Sequence, residues 1–173
     1  MGRFSETIIN FACYENGKEY VGHVDATLPE IAALTQEISG AGISGNLESV
    51  IIGHYAAMSM SINFRTVTNS AVRLMVPCAH KLCLMGAQQE SDAATGKLII
   101  KKVKHVVRAF PKKFSPGKLA AASPADASGE FAVSYYALYI DGVQKIEIDP
   151  INFICKVNGK DYMKEVRKAL GKK

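Results

Sequence analysis

The sequence predicts a mainly β protein with one or two short helices, and three observations lead to that fold class. Three tight-turn dipeptides each separate strand-like runs, and one segment alternates strictly between apolar and polar side chains. The third observation is size, since 173 residues of 48% hydrophobic composition bury enough surface on folding to need neither a disulfide nor a metal. We therefore expect one domain over residues 1–173.

The three turn dipeptides are Asn16-Gly17, Asp141-Gly142 and Asn158-Gly159. Asn-Gly and Asp-Gly tolerate the positive φ angles of a type I′ turn, whose twist matches that of two antiparallel strands. Each dipeptide stands between runs rich in Val, Ile and aromatic residues, such as AVSYYALYI before the second turn and VQKIEI after it. A hairpin is predicted at each dipeptide.

The alternating segment runs from Met58 to Phe64. Its two faces are Met58, Met60, Ile62 and Phe64 on one side, and Ser59, Ser61 and Asn63 on the other. Strict alternation is typical of a strand with one buried face. The other face would then present short polar side chains.

Two segments predict short helices. Ser70 to Val76 has apolar residues at helical spacing and is closed by Pro77. Tyr162 to Leu170 has the same spacing on one side and stops at Gly171.

The segment from Thr27 to Ile38 is ambiguous. Its start, Thr27-Leu28-Pro29-Glu30, matches a helix capping box with proline in the first turn. Its end, Leu34 to Ile38, also alternates as a strand would. Periodicity alone favours a helix here.

Net charge is +5, and its distribution is uneven. Eight basic residues and no acidic one lie in the range 97–118: Lys97, Lys101, Lys102, Lys104, Arg108, Lys112, Lys113 and Lys118. A long strand is predicted over Lys97 to Phe110. A loop is predicted over Ser115 to Gly129, which is rich in Pro, Ala, Ser and Gly. Together they predict an extended basic hairpin and loop at about 97–129.

This basic run supports two readings. Lysines and arginines neutralise phosphates, which favours a nucleic-acid-binding module. The aromatic residues that would stack on single-stranded bases are sparse, however, only Phe110 and Phe114. The other reading is a hairpin that faces another protein or solvent.

No pattern predicts a cofactor site. Gly40-Ala41-Gly42-Ile43-Ser44-Gly45 matches G-x-G-x-x-G. The nucleotide-binding motif needs a helix after it and an acidic residue about 20 positions on, whereas here a β-like run follows and Arg65 lies near that distance. We interpret it as a turn.

Cysteine chemistry is also not predicted. Cys78, His80 and Cys83 include zinc-ligand types, but no C-x-x-C pair accompanies them. The four cysteines are too scattered for a disulfide framework, so we expect free, mostly buried thiols. No catalytic constellation is present, and no metal or cofactor is expected.

The sequence predicts no membrane anchor. Its longest apolar run is the six residues Tyr135 to Ile140, far short of the roughly 20 that span a bilayer. The start MGRFSE lacks the basic and then apolar plan of a secretory signal. We expect a soluble protein made in a cytoplasm.

The order of these elements resembles the major tail tube proteins of contractile-tailed phages and R-type bacteriocins. The resemblance rests on NGKEYVGHVDATLPEI, EISGAGISGN, AAMSMSINFRT and YYALYIDGVQKIEIDPINFICKVNGKDYMKEVRKALG. The last is the most specific, because its two turns, the EID and INFI segments and the closing basic helix occur in the family's order. The middle, Cys78 to Gly129, carries less of the resemblance.

The resemblance implies a β-sandwich or barrel-like tail tube fold with a flanking short helix and a C-terminal helix. It implies hexameric rings stacked into a hollow tube, in which two hairpins per subunit join those of neighbours around the lumen. It also implies that Leu34 to Ser39 is a strand.

A tail tube has no enzymatic activity. The implied partners are other copies of the chain, the sheath, the tape measure protein, the baseplate tube initiator and, transiently, DNA. The implied location is a virion tail or tail-like particle, with assembly in the host cytoplasm.

Two sets of site residues follow for such a tube. Short or acidic polar side chains would not grip what slides through, which predicts a lumen wall that includes Glu37, Ser59, Ser61 and Asn63. A lysine-lined bore would hold DNA along its length, so the lysines are predicted outside or between rings. The predicted interface residues are Gly40, Gly42, Gly45, Lys101, Lys102 and Lys104.

Overall fold

The fold comes from a computed structural model that describes residues 3–22 and 24–172. Within those ranges the chain forms twelve strands and two short helices. The strands are β1 (Arg3–Glu15), β2 (Glu19–Tyr20), β3 (Val24–Thr27), β4 (Ala33–Ile38), β5 (Leu47–Tyr55), β6 (Met58–Phe64), β7 (His80–Asp92), β8 (Leu98–Ser115), β9 (Ala127–Ile140), β10 (Val143–Asp149), β11 (Ile154–Val157) and β12 (Lys160–Asp161). The helices are α1 (Asn69–Arg73) and α2 (Lys164–Ala169). The predicted mainly β class is confirmed.

Ten of the strands form one sheet. The strand order along its main path is β12-β11-β10-β9-β8-β7-β1-β2. In addition, β6 pairs with the first half of β9, and β3 pairs with β6. Met60 of β6 and Leu84 of β7 share one buried cluster although their strands are not neighbours. The sheet therefore folds back on itself like a sandwich, with the core between its two parts.

The hairpin predictions hold, with one change in loop length. Both residues of each turn dipeptide have positive φ, between 50° and 82°. Val143 pairs with Ile140 and Val157 with Lys160, as two-residue turns require. The first turn is one residue longer than predicted, because Glu15 pairs with Glu19.

The alternating strand is confirmed. All four apolar side chains from Met58 to Phe64 are buried in the main core. Ser59 and Asn63 are exposed and Ser61 is half-buried on the opposite face.

The helix that periodicity favoured in residues 27–38 is wrong. Thr27 ends β3, and Ala33–Ile38 is strand β4, whose Ile38 pairs with Leu47 of β5. The capping-box signal is local, and pairing with a strand nine residues further on overrides it. The strand implied by the family resemblance is the one observed.

The two predicted helices form but are shorter than their patterns. In α1, the Thr68 hydroxyl accepts a hydrogen bond from the Ala71 amide at 3.2 Å, which fixes the start of the helix. Among the described residues, no helix is long and apolar enough to cross a bilayer.

Candidate functional site

The structure includes an exposed two-stranded arm, which we define as residues 33–55. Its strands, β4 and β5, pair with each other and with no other strand of the described chain. Large apolar side chains lie exposed along it: Leu34, Ile38, Ile43, Leu47, Val50, Ile51 and Ile52. A two-stranded hairpin is marginal in water, and its outer edges can pair with another chain.

The base of the arm is anchored to the C-terminal region. Gly53 has φ +70°, and a Cβ at this position would overlap the buried Met163 side chain. The Tyr55 hydroxyl lies 3.0 Å from Cys155 Sγ. Burial, together with the hydrogen bond to Cys155, raises the pKa of Tyr55 to about 12. Only the outer part of the arm is thus left without packing.

The three predicted interface glycines form the tip of this arm. Gly42 and Gly45 have φ +97° and +133°, values that side chains rarely adopt, and a Cβ on Gly40, Gly42 or Gly45 would meet nothing within 4 Å. The glycines are therefore needed for the backbone conformation of the tip. They are not needed to avoid a steric clash with the rest of the subunit.

One face of the arm is acidic. Glu37 and Glu48 pair directly across the two strands, and the Thr35 hydroxyl donates to Glu48 Oε1 at 2.6 Å. Neither carboxylate forms an ion pair within the described ranges. Like charges directly opposite are destabilising in an isolated hairpin.

A second projection is a three-stranded ribbon, defined as residues 3–10 of β1, 86–92 of β7 and 98–102 of β8. Ile140, the last residue of β9, pairs with Val103, so residues 98–102 of β8 have a strand neighbour only on the β7 side. The ribbon exposes Phe4, Ile8, Ile9, Leu98 and Ile100. It is a second element with apolar surface and open edges.

The three predicted interface lysines do not all lie on one surface. Lys101 lies on the side of β8 that carries Val107 into the main core, and its Nζ is 2.9 Å from Glu90 Oε2. Lys104 lies on the opposite side, with its Nζ 5.7 Å from the centroid of the Tyr139 ring. Strand alternation puts Lys102 on the same side as Lys104.

The rest of the basic run is divided. Arg108 lies over the Tyr135 ring and lines the same pocket as Lys104. Lys113 and Lys118 lie elsewhere, 3.8 Å from Glu130 and 3.5 Å from Asp126. A nucleic-acid site needs its cations on one face, and only part of this run shares one.

The predicted lumen residues lie on two different sheets. Ser59, Ser61 and Asn63 share the outer face of β6, where Ser61 is directly opposite Glu130 of β9. Glu37 is on the arm. The structure thus groups three of the four, and their assignment to a lumen stays a prediction.

A buried charged cluster was not predicted from the sequence. Glu15 is 5% exposed and His80 4%, and His80 Nδ1 lies 2.6 Å from Glu15 Oε1. Arg73 Nε donates to the other oxygen of Glu15 at 2.7 Å, and His80 Nε2 donates to the Val76 carbonyl at 2.9 Å. Burial raises the pKa of Glu15, but the hydrogen bonds from His80 and Arg73 outweigh it and hold that pKa below 4.5.

The cluster also explains the zinc-ligand types seen in the sequence. Both ring nitrogens of His80 are engaged, and alternation along β7 puts Cys83 on the opposite face of the sheet. Among the described residues, no group of three or more metal-ligating side chains could hold an ion. Cys13, Cys83 and Cys155 are buried free thiols and Cys78 is an exposed one. This confirms the expectation of free, mostly buried thiols.

The chain is similar to known proteins along most of its length. The family model for phage tail tube protein FII matches residues 5–171. The tail tube protein of Escherichia phage P2 is 27% identical over 161 residues, which cover 90% of this chain and 91% of the phage protein.

A solved structure shows the same fold. It is one chain of the PVC sheath/tube terminator of an extracellular contractile injection system in its extended state. The TM-score is 0.54 at 12% identity, over 79% of this chain and 97% of the other.

Proposed function

The chain belongs to the phage tail tube protein FII family, a family of structural tail components, and we propose that it polymerises as stacked hexameric rings into the hollow inner tube of a contractile tail or tail-like particle. The observation that carries the proposal is the family match over residues 5–171.

Two structural features support polymerisation. The arm and the ribbon both have open strand edges and exposed apolar side chains. Open edges are an aggregation hazard in a monomer but are paired when a ring closes. In the tube, arms and ribbons of neighbouring subunits pair into one continuous barrel around the lumen.

The lumen wall in this proposal includes Glu37, Ser59, Ser61 and Asn63. The Glu37 and Glu48 carboxylates on one face of the arm support it, since negative side chains repel a phosphate backbone and let it pass. Gly40, Gly42 and Gly45 at the arm tip contact the adjacent ring.

The lysines lie outside the lumen in this proposal. Lys101 pairs with Glu90 within its own ribbon, whereas Lys102 and Lys104 on the other face meet acidic surfaces of a neighbouring subunit or the sheath. The tube acts as a surface and a conduit, without catalysis. Its partners are the sheath, the tape measure protein, the baseplate tube initiator and passing DNA, and it assembles in the host cytoplasm.

Negative-stain electron microscopy tests the proposal. The purified protein, and the protein co-expressed with the other tail components, are imaged for rings and tubes. Tubes in the co-expressed sample are expected, because a baseplate can be needed to start growth. Absence of tubes there would overturn the proposal, and steeply salt-dependent DNA binding by a monomer would favour the nucleic-acid-binding module instead.

A further inference from the structure

A pocket with basic walls lies across β7, β8 and β9, on the face of the sheet opposite the main core. Its lining includes Lys81, Lys104, Arg108, Tyr135 and Tyr139, and it holds about 420 Å³. We call it the basic pocket. None of its described lining residues belongs to the arm or to the ribbon. It is thus a separate surface from the two elements that carry open strand edges.

Strand register brings these side chains together in two rows. Lys81 of β7 pairs with Arg108 of β8, and Arg108 pairs with Tyr135 of β9. Four residues earlier along β8, Lys104 pairs with Tyr139 of β9. Residues an even number of positions apart on a strand point to the same face, so both rows lie on one side of the sheet. At strand rise the two rows are about 13 Å apart.

Short buried side chains form the floor between the two rows. Cys83, Val106 and Ala137 pair across the same three strands, and all three are buried. A carboxylate on the neighbouring strand β10, Glu147, is already engaged. It accepts a hydrogen bond from the Tyr135 hydroxyl at 3.1 Å and lies 2.8 Å from Lys156 Nζ. Within the described chain, no residue that lines the basic pocket is acidic.

The cations of the basic pocket are held in place but have no anion. Lys104 Nζ lies 5.7 Å from the centroid of the Tyr139 ring, and the Arg108 guanidinium lies 5.4 Å from that of Tyr135. Cation–π contacts restrain a cation without cancelling its charge. Within residues 3–22 and 24–172, Lys81, Lys104 and Arg108 form no ion pair. Three positive charges therefore line one pocket without a negative partner.

An acidic protein segment fits this chemistry best. An arginine binds a carboxylate through two parallel hydrogen bonds, and a lysine supplies a point charge. Residues four positions apart in an extended segment are also about 13 Å apart, so one carboxylate can meet Arg108 while another meets Lys104. Tyrosine rings beside the cations add apolar contact, as at many protein interfaces. Nucleic-acid affinity grows with the number of phosphates neutralised, and three cations neutralise few.

The position of the basic pocket selects the sheath as the source of that segment. In the proposed tube, contacts between copies use the arm, the ribbon and the arm tip, and the basic pocket belongs to none of them. Net charge is +5, from 21 basic and 16 acidic residues, so another copy of the chain is the weaker source of negative surface. Lys104 lies outside the lumen in that proposal, where the sheath assembles.

From these observations we infer that the basic pocket is a docking site for the sheath, which inserts an acidic segment between the two rows. The inference rests on the proposed tube. It specifies which side chains of this chain bind the sheath and which chemistry the sheath presents to them.

Charge reversal in the basic pocket tests the docking. Lys104→Glu and Arg108→Glu are combined, and the variant is co-expressed with the other tail components. Tubes of wild-type length should form, but the fraction that carries a sheath should fall at least about tenfold, because repulsion replaces attraction at every subunit. The melting temperature should stay near that of wild type, since neither cation has an ion pair within the described chain.

Lys160→Glu is the matched control. Lys160 also lies over a tyrosine ring, with its Nζ 5.1 Å from the centroid of Tyr162, but it is on strand β12 outside the basic pocket. Its tails should stay sheathed. Equal loss of the sheath in this control would show an effect of net charge alone and would overturn the inference.

Photochemical cross-linking identifies the occupant. The photoreactive residue p-benzoylphenylalanine replaces Tyr139, assembled tails are irradiated, and the cross-linked peptides are sequenced by mass spectrometry. A sheath peptide that contains Asp or Glu is expected. Cross-links confined to other copies of this chain or to DNA, or sheathed tails without any cross-link, would overturn the inference.

The outcomes of charge reversal separate this inference from the tube proposal. Fully sheathed tails of the Lys104→Glu, Arg108→Glu variant would overturn the docking site. Loss of its tubes would assign the basic pocket to contacts between copies, and complete tails that fail only in DNA delivery would place these cations in the lumen. Each of these results leaves the tube proposal standing. Wild-type protein without rings or tubes beside the other tail components would overturn the tube proposal instead.

Discussion

Glu15 is buried and contacts both His80 and Arg73, so Glu15→Gln is the single substitution that tests most directly how much this cluster stabilises the fold. The substitution keeps the size of the side chain and removes its charge. The carboxylate accepts hydrogen bonds at 2.6 Å from His80 and 2.7 Å from Arg73, and its side chain is 7% exposed. Breaking a buried ion pair costs about 3–5 kcal/mol. Because glutamine retains one acceptor oxygen, we expect a loss of about 3 kcal/mol, at the lower end of that range.

The loss is measured by urea denaturation and thermal unfolding. For a chain of this size, about 3 kcal/mol corresponds to a fall in Tm of roughly 6–12 °C. Glu19→Gln is the matched control, because Glu19 pairs with the same Arg73 at 2.8 Å but its side chain is 55% exposed. An exposed pair contributes below about 1 kcal/mol. If Glu15→Gln costs no more than Glu19→Gln, the cluster does not stabilise the fold as argued.

The same pair predicts a pH dependence. The folded-state pKa of Glu15 is below its usual 4.5, so its contribution to stability is complete above that pH and is lost as the pH falls through the folded pKa. The stability difference between wild type and Glu15→Gln should therefore shrink on acidification below about pH 4.5. A difference that is constant down to pH 2 would contradict this assignment.

Three further predictions concern the other surfaces. Gly42→Val places a β-branched residue at φ +97° in open space, so tube assembly seen by electron microscopy should suffer more than the melting temperature, and equal losses would indicate a purely structural turn. All four thiols should react with a thiol reagent in denaturant without reductant, only Cys78 should react quickly in the native protein, and native mass spectrometry should show no zinc. Lys101→Glu should lower the unfolding free energy by putting like charge beside Glu90, whereas Lys104→Glu should spare folding and impair ring stacking or sheath attachment. Complete tails of Lys104→Glu that fail only in DNA delivery would place this lysine in the lumen.

Local signals in the sequence determined much of the fold. Asn-Gly and Asp-Gly turns, and the alternation from Met58 to Phe64, depend on φ preferences and on the two-residue period of a strand. Such preferences act over a few residues, so they can be read without knowing what lies opposite. The family resemblance added the strand at Leu34–Ser39, which local periodicity assigned to a helix and which the structure shows at Ala33–Ile38.

The tertiary structure decided which residues meet. Glu15 is separated from Arg73 by 58 positions and from His80 by 65, and no local pattern links them. Asp149 shows the same limit, because acidic residues are seldom buried unless they are paired, yet Asp149 is 3% exposed and accepts a hydrogen bond from the Asn152 backbone amide.

The basic run is the clearest case of the division between sequence and structure. The sequence determined that eight cations lie between Lys97 and Lys118, which gave the impression of one basic surface. Alternation along β8 and the pairing of its neighbours place Lys101 against Glu90 on one face and Lys104 against Tyr139 on the other. Charge is a property of each residue and is set by the sequence alone. The surface to which a charge belongs depends on strand register and on contacts between distant segments, which only the folded chain establishes.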